Sequence, residues 1–167
     1  MPIWNTLAGE FSDLADAEQF VRLVVRVFLA ALLGGLMGLE REIRGKSAGI
    51  RTHMLMALSA TLIVTIVRQS DLGDDVLGRF VQGLLAGAGL LCAGEILKAQ
   101  GDERPHGLTT AAGLWMTTAI GVAVGLGREA SAVVTTAVGL AILSMDGPIK
   151  RWFARRRERG QLPPADS

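Results

Sequence analysis

The sequence predicts an all-α fold, a polytopic membrane helix bundle of about five transmembrane helices with the N-terminus outside and the C-terminus cytoplasmic. Three observations predict it. Apolar stretches recur at roughly the length of a bilayer crossing. Half of the 167 residues are apolar, with 21 glycines, no tyrosine and a mean hydropathy of +0.38. Such a composition suits membrane helices, where small residues let neighbouring backbones approach. Lys and Arg also segregate to alternate loops, as the positive-inside rule requires. The length is that of one domain. It divides into an extracytoplasmic segment (1–19), a transmembrane domain (20–147) and a basic cytoplasmic tail (148–167).

The first nineteen residues carry Glu10, Asp13, Asp16 and Glu18 and lack the basic leader of a cleaved signal peptide. The first span is therefore expected to be retained. It runs from about Phe20 to Leu39 and holds Arg26 and the small-xxx-small pair Gly34/Gly38. Arg26 falls a heptad from Leu33 and is expected to face the bundle or snorkel outward, because lipid exposure of its charge is costly. The second span, about Thr52 to Val67, is short. The third, about Gly78 to Leu97, carries Gly83/Gly87, Gly89 and Gly94 beside Ala86, Ala88 and Ala93, and is expected at the centre of the bundle. The fourth covers about Leu108 to Gly125 with the pair Gly121/Gly125. The fifth covers about Glu129 to Met145 and stops at Asp146-Gly147-Pro148, since proline cannot continue the ladder. Each small-residue pair can seat a neighbouring helix. Packing within one chain is one use; a homodimer through the first or third span is the other.

Orientation follows from charge. Arg41, Arg44, Lys46 and Arg51 lie between spans one and two, and Lys98 and Arg104 between three and four. Lys150, Arg151, Arg155, Arg156, Arg157 and Arg159 lie in the tail. These are twelve of seventeen basic residues on one side, which is then cytoplasmic. Asp71, Asp74 and Asp75 fall on the outer side. The tail reads as a topology anchor in contact with membrane lipids, each basic residue gaining roughly 1 kcal/mol near an anionic leaflet. No soluble fold accompanies the charge, so a nucleic-acid partner is not expected.

The most informative stretch is LGGLMGLEREIRGKSAGIRTH, residues 33–53, where a glycine-rich span runs straight into dense charge. Charge held against a membrane helix is expensive and marks an interfacial anchor or a functional site. In the five-span topology Glu40, Arg41, Glu42, Arg51, Thr52 and His53 share one depth with Glu95, Thr109, Thr110 and Asp146. The expectation is one connected polar cluster in which Arg41, Arg44 and Arg51 are the available partners and Glu40 and Arg51 are coupled, since a buried carboxylate needs a cationic or metal partner. A structural ion-pair network and a functional site both satisfy that requirement. Magnesium suits such oxygen ligands, but the interleaved arginines argue against a dedicated metal site, and no cofactor is expected. Cys92 is the single cysteine; there is no CxxC or Cys/His spacing. No nucleophile–base arrangement is recognisable, which argues against an enzyme.

Three blocks together resemble the MgtC/SapB family of bacterial inner-membrane proteins. The first is Gly38-Leu39-Glu40-Arg41-Glu42 with Gly45, Ala48-Gly49 and Arg51-Thr52-His53. The second is Gly87-Ala88-Gly89-Leu90-Leu91-Cys92-Ala93-Gly94, similar to the family's GIGFLGAG segment. The third is Gly107-Leu108-Thr109-Thr110-Ala111-Ala112-Gly113-Leu114-Trp115, similar to its GLTTAAxxW segment. Order and spacing agree over roughly Arg26 to Asp146. The resemblance covers the transmembrane part without the soluble C-terminal domain of the virulence-associated members. It implies a multi-pass protein of the bacterial inner membrane linked to growth at low magnesium, with phosphate uptake and inhibition of the membrane ATP synthase also proposed for members. Departures are Leu90 for phenylalanine, Cys92 for glycine and Glu95 where an apolar residue is usual.

Two functions are compatible with these residues. One is a non-enzymatic regulator that docks on another membrane protein complex. The other is a small ion or solute carrier, working as an oligomer through the inner carboxylates. A carrier calls for polar residues at mid-membrane depth and a broken helix, and no continuous polar stripe crosses these spans. The regulator is the favoured reading.

Overall fold

The computed structural model describes residues 2–10, 16–70, 72–98 and 107–145. Among them every regular element is helical: α1 (Pro2–Glu10), α2 (Ala17–Ile43), α3 (Ile50–Gln69), α4 (Asp74–Lys98), α5 (Leu108–Gly125) and α6 (Glu129–Ser144). The five predicted spans are α2 to α6. Helix α1 is an addition, a short turn of chain with Ile3, Trp4 and Leu7 exposed. Four helices, α2 to α5, are long and apolar enough to cross a membrane. Helix α6 has 16 residues, about 24 Å of rise against a hydrocarbon core of about 30 Å. Asp146 and the basic tail lie outside the described residues.

Two helix ends set the positions of the charges. Helix α2 starts on the Asp16 carboxylate, which accepts from Glu18 N at 3.0 Å. It ends at Gly45 (φ 64°), where Gly45 N bonds Glu42 O and Lys46 N bonds Arg41 O, both at 3.0 Å. This is a Schellman closure, which needs a left-handed residue after the cap. Helix α5 closes in the same way at Gly127 (φ 74°), with Gly127 N on Val124 O and Arg128 N on Ala123 O, both at 2.9 Å. Each closure turns the chain within a few residues and sends the next helix back along the bundle.

Helix α5 is the centre. Of its apolar window 61% is buried, against 11% for α4. The core joins Ala30, Leu33 and Met37 of α2, Ala57 of α3, Ile120 and Val124 of α5, and Ala132 and Leu143 of α6. The third predicted span, α4, is therefore peripheral and not central: it lies along α5 and touches α3. The physical reason is visible at the glycines. A Cβ at Gly121 would meet Ala57 O at 2.4 Å, and one at Gly38 would meet Ile50 Cα at 2.5 Å, so these residues permit backbone-to-backbone contact with α3. At Gly83, Gly87, Gly89 and Gly94 a Cβ would meet nothing among the described residues within 4 Å. Exposed Phe28, Leu32, Leu55, Leu62, Leu90 and Leu91 form the outer faces, which suits helices whose backbone polar groups are satisfied internally and whose surroundings are lipid.

Candidate functional site

The charged stretch 40–53 folds as one end of the bundle. Arg41 is 2% exposed, and its guanidinium forms an ion pair with the Glu40 carboxylate, itself only 13% exposed. The Arg41 Nε donates to Glu40 Oε2 at 2.5 Å. The other Glu40 oxygen is paired with Arg44, one turn on. Arg44 reaches further, its Nη2 donating to Ser144 O at 3.2 Å and so tying α2 to α6. One carboxylate thus holds two arginines, a net positive cluster sunk into the end of the bundle.

Glu42 has a separate task. Its Oε2 accepts from Ile50 N at 2.9 Å. The N-cap of α3 is Gly49, which brings no side chain to the first turn. A Cβ there would meet Glu42 Oε2 at 2.6 Å. The carboxylate from the preceding helix occupies the place a Ser or Asp cap would fill, where it also meets the positive end of the helix dipole. Glu95 is engaged elsewhere: Ser47 Oγ donates to its carboxylate, joining the α2–α3 loop to α4. The backbone of Glu95 seats Gly107, whose Cβ position lies 3.0 Å from Glu95 O, so the start of α5 rests on the end of α4.

His53 is fully buried one turn into α3. Its Nδ1 lies 2.7 Å from Thr117 Oγ1, and Thr117 donates its one hydroxyl proton to Gly113 O at 2.9 Å. The imidazole Nδ1 must therefore be the donor, which in the neutral ring fixes the tautomer and leaves Nε2 a bare acceptor. Nε2 has no partner among the described residues. Thr117→Val would remove the remaining partner and leave the ring wholly unpaired. The expected loss is about 1–3 kcal/mol of stability, read as a lower unfolding midpoint in detergent, with Thr117→Ser retaining most of it.

Other predicted site residues stand apart. Arg51 and Thr52 are exposed and border a polar recess of about 360 Å³ with Glu42, Lys46 and Ser47. Thr110 is buried and Thr109 exposed. The sequence expectation of one connected carboxylate cluster is corrected here. Glu40, Glu42 and Glu95 each have their own partner, and Glu40 pairs with Arg41 and Arg44, not with Arg51. The cause is local: neighbours on one helix and its own cap reach the carboxylates before a residue across the loop can. Among the described residues no group of three or more His, Cys, Asp or Glu comes together as a metal site.

Arg26 belongs to the opposite end. Its Nε is 3.5 Å from Glu129 Oε1, and its Nη1 donates to Gly125 O at 3.3 Å. Arg68, at the end of α3, donates to Leu126 O. The two arginines clamp the α5–α6 turn, where carbonyls left free at a helix C-terminus favour cations. Gly127 lies against them, its Cβ position 2.8 Å from Arg26 Nη2. Sequence reasoning missed Arg68, Glu129, Ser47 and Thr117. The available signal was a single basic residue near the matching end of α2 and of α3, opposite a glycine-flanked turn.

Residues 27–152 match the MgtC family, three-quarters of the chain. The chain belongs to that family. Among curated relatives it is 38% identical to Protein SrpB of Synechococcus elongatus over 151 residues, 82% of each chain. It is 35% identical to YhiD of Escherichia coli K12, named as a candidate magnesium transporter, over 73% of this chain and 59% of that protein. It is 38% identical to Protein MgtC of Brucella abortus over 88% of this chain and 55% of that one. The chain thus spans little more than half of the YhiD and MgtC proteins it matches. No solved structure gives a significant match. A membrane protein of the MgtC family with an all-α architecture is what sequence and structure agree on.

Proposed function

We propose that this MgtC-family protein is a non-enzymatic regulator in the bacterial inner membrane, docking on another membrane complex linked to magnesium or phosphate homeostasis. The carrying observation is how its polar groups are used. The paired charges lie at the two ends of the bundle and are held by intramolecular contacts: Glu40 with Arg41 and Arg44, Glu42 with the α3 amide, Glu95 with Ser47, and Arg26 with Glu129. Between the ends, the buried Thr61, Thr117, Thr118 and Thr136 donate to backbone carbonyls. Each long helix is continuous. A carrier of the familiar kind places its ion or solute at mid-membrane on a broken helix, and that arrangement has no counterpart among the described residues. The name of the YhiD relative supports the connection with magnesium. The same proposal puts the Arg41 end in the cytoplasm, because the Lys- and Arg-rich loops gather there.

The test joins two measurements on the full chain. Tagged protein is crosslinked in native membranes and purified in mild detergent, and the same preparation is reconstituted for magnesium flux. The expected result is one membrane complex recovered in near-stoichiometric amount and flux equal to that of empty liposomes. Magnesium flux above empty liposomes, with no complex recovered, would establish the carrier instead.

A further inference from the structure

A second site lies away from the charged end, in a groove of about 790 Å³ between α3 and α4, closed at its base by Thr118 of α5. Met56 and Ile63 of α3 face Phe80 and Leu91 of α4 across it. Its depth comes from Gly83 and Gly87, where a Cβ would meet no atom of the described residues within 4 Å. Those glycines therefore serve no packing contact among the described residues; they leave room. Thr118 donates its hydroxyl to Leu114 O, so the base offers no unmet donor. The volume falls within the 300–1,000 Å³ or so of ordinary small-ligand sites.

One end of the groove is charged. Arg79 lines it, and among the described residues Arg79 has no ion pair. Asp74 and Asp75, exposed in the first turn of α4, stand one turn further out along the same helix and do not line the groove. From Arg79 to Leu91 is twelve residues of helix, about 18 Å at 1.5 Å per residue. Half of a 30 Å hydrocarbon core is about 15 Å, so the groove has the length of one acyl chain within one leaflet.

We propose that this groove binds a zwitterionic phospholipid with an ethanolamine headgroup. One acyl chain lies against Gly83 and Gly87, the phosphate sits on the Arg79 guanidinium and the ammonium faces Asp74 and Asp75. Arginine recognises phosphate with two parallel hydrogen bonds. The carboxylates one turn outward repel a purely anionic headgroup and attract a cationic one, which selects the zwitterion. A second copy of the chain is the weaker occupant. A two-fold axis at the groove would bring two Arg79 side chains to the same mouth, where like charges repel.

The full chain is reconstituted from vesicles holding equal phosphatidylethanolamine and phosphatidylglycerol, and retained lipid is counted by native mass spectrometry. One phosphatidylethanolamine per chain is expected, preferred over phosphatidylglycerol. Arg79→Gln should cut its retention about fivefold, the loss of one basic contact to a headgroup. Gly87→Leu should fill the groove and abolish retention. Gly94→Leu, at an open position outside the groove, should keep it. Melting temperatures taken in parallel identify any variant that fails to fold. Equal retention by all four proteins, equal retention of the two lipids, or a lipid-free dimer that Gly87→Leu dissociates would each overturn the assignment.

Discussion

Gly121→Ala should destabilise the bundle by about 3 kcal/mol, near the top of the range for overpacking. The added methyl would stand 2.4 Å from Ala57 O and 2.8 Å from Ala60 Cβ. The first of these is backbone and has no rotamer to change. Nor can α5 withdraw easily, because Thr61 Oγ1 donates to Gly121 O at 2.9 Å across the same seam. One turn further, Gly125 repeats the contact, its Cβ position 2.9 Å from Thr61 O. The matched control is Gly87→Ala on α4, where the methyl meets open space. Both changes carry the same favourable helix propensity, about 1 kcal/mol, so their difference isolates the contact. Unfolding in detergent, followed by loss of helical signal, gives both values. Equal effects at the two positions would mean that α3 and α5 do not meet backbone to backbone.

Hydropathy placed the five helices α2 to α6, four of them long and apolar enough to cross a membrane, because runs that bury their backbone polar groups in helices must be apolar whatever surrounds them. The small-xxx-small motif was equally visible at Gly34/Gly38, Gly83/Gly87 and Gly121/Gly125, yet the three pairs differ in use. Gly34 and Gly38 lie against the His53 carbonyl and Ile50, Gly121 and Gly125 against Ala57 and Val64, and Gly83 and Gly87 against nothing among the described residues. A motif reports that close approach is permitted; it does not report which helix is opposite. Gly34→Leu is therefore no clean probe of a homodimer through the first span, since it would drive its side chain into a carbonyl 2.7 Å away. The third span keeps an open face.

The sequence named the candidate arginines for Glu40 but not which of them it holds. The dense charge at residues 40–53 falls where α2 ends and α3 begins, as membrane helices confine charge to their termini or bury it in pairs. Pairing depends on short geometry that spacing alone does not give. Arg44 is four residues from Glu40 and shares its helix face, while Arg51 lies beyond a loop closed by a glycine. Glu42 turned out to be a helix cap supplied from outside its helix, a role with no local signature because Gly49 itself is silent.

Glu40→Gln should be the most damaging single change at that end, costing about 3–5 kcal/mol, because it strips the anion from an arginine only 2% exposed. The neutral amide can still accept one hydrogen bond but cannot balance the charges of Arg41 and Arg44 together. Arg41→Met in the Glu40→Leu background should recover much of the loss, since a buried pair replaced by apolar groups is often neutral. Arg51→Gln, at an exposed site outside the pair, should stay within about 0.5 kcal/mol. In double-mutant cycles Glu40 and Arg41 should be strongly coupled, while Glu40 and Arg51 should be additive. Added magnesium should move the unfolding midpoints of the wild type and Glu40→Gln equally, because the Glu40 oxygens already face Arg41 and Arg44. Coupling of Glu40 to Arg51, or a magnesium shift confined to the wild type, would place a bridging cation at this end and return the carboxylates to a functional role.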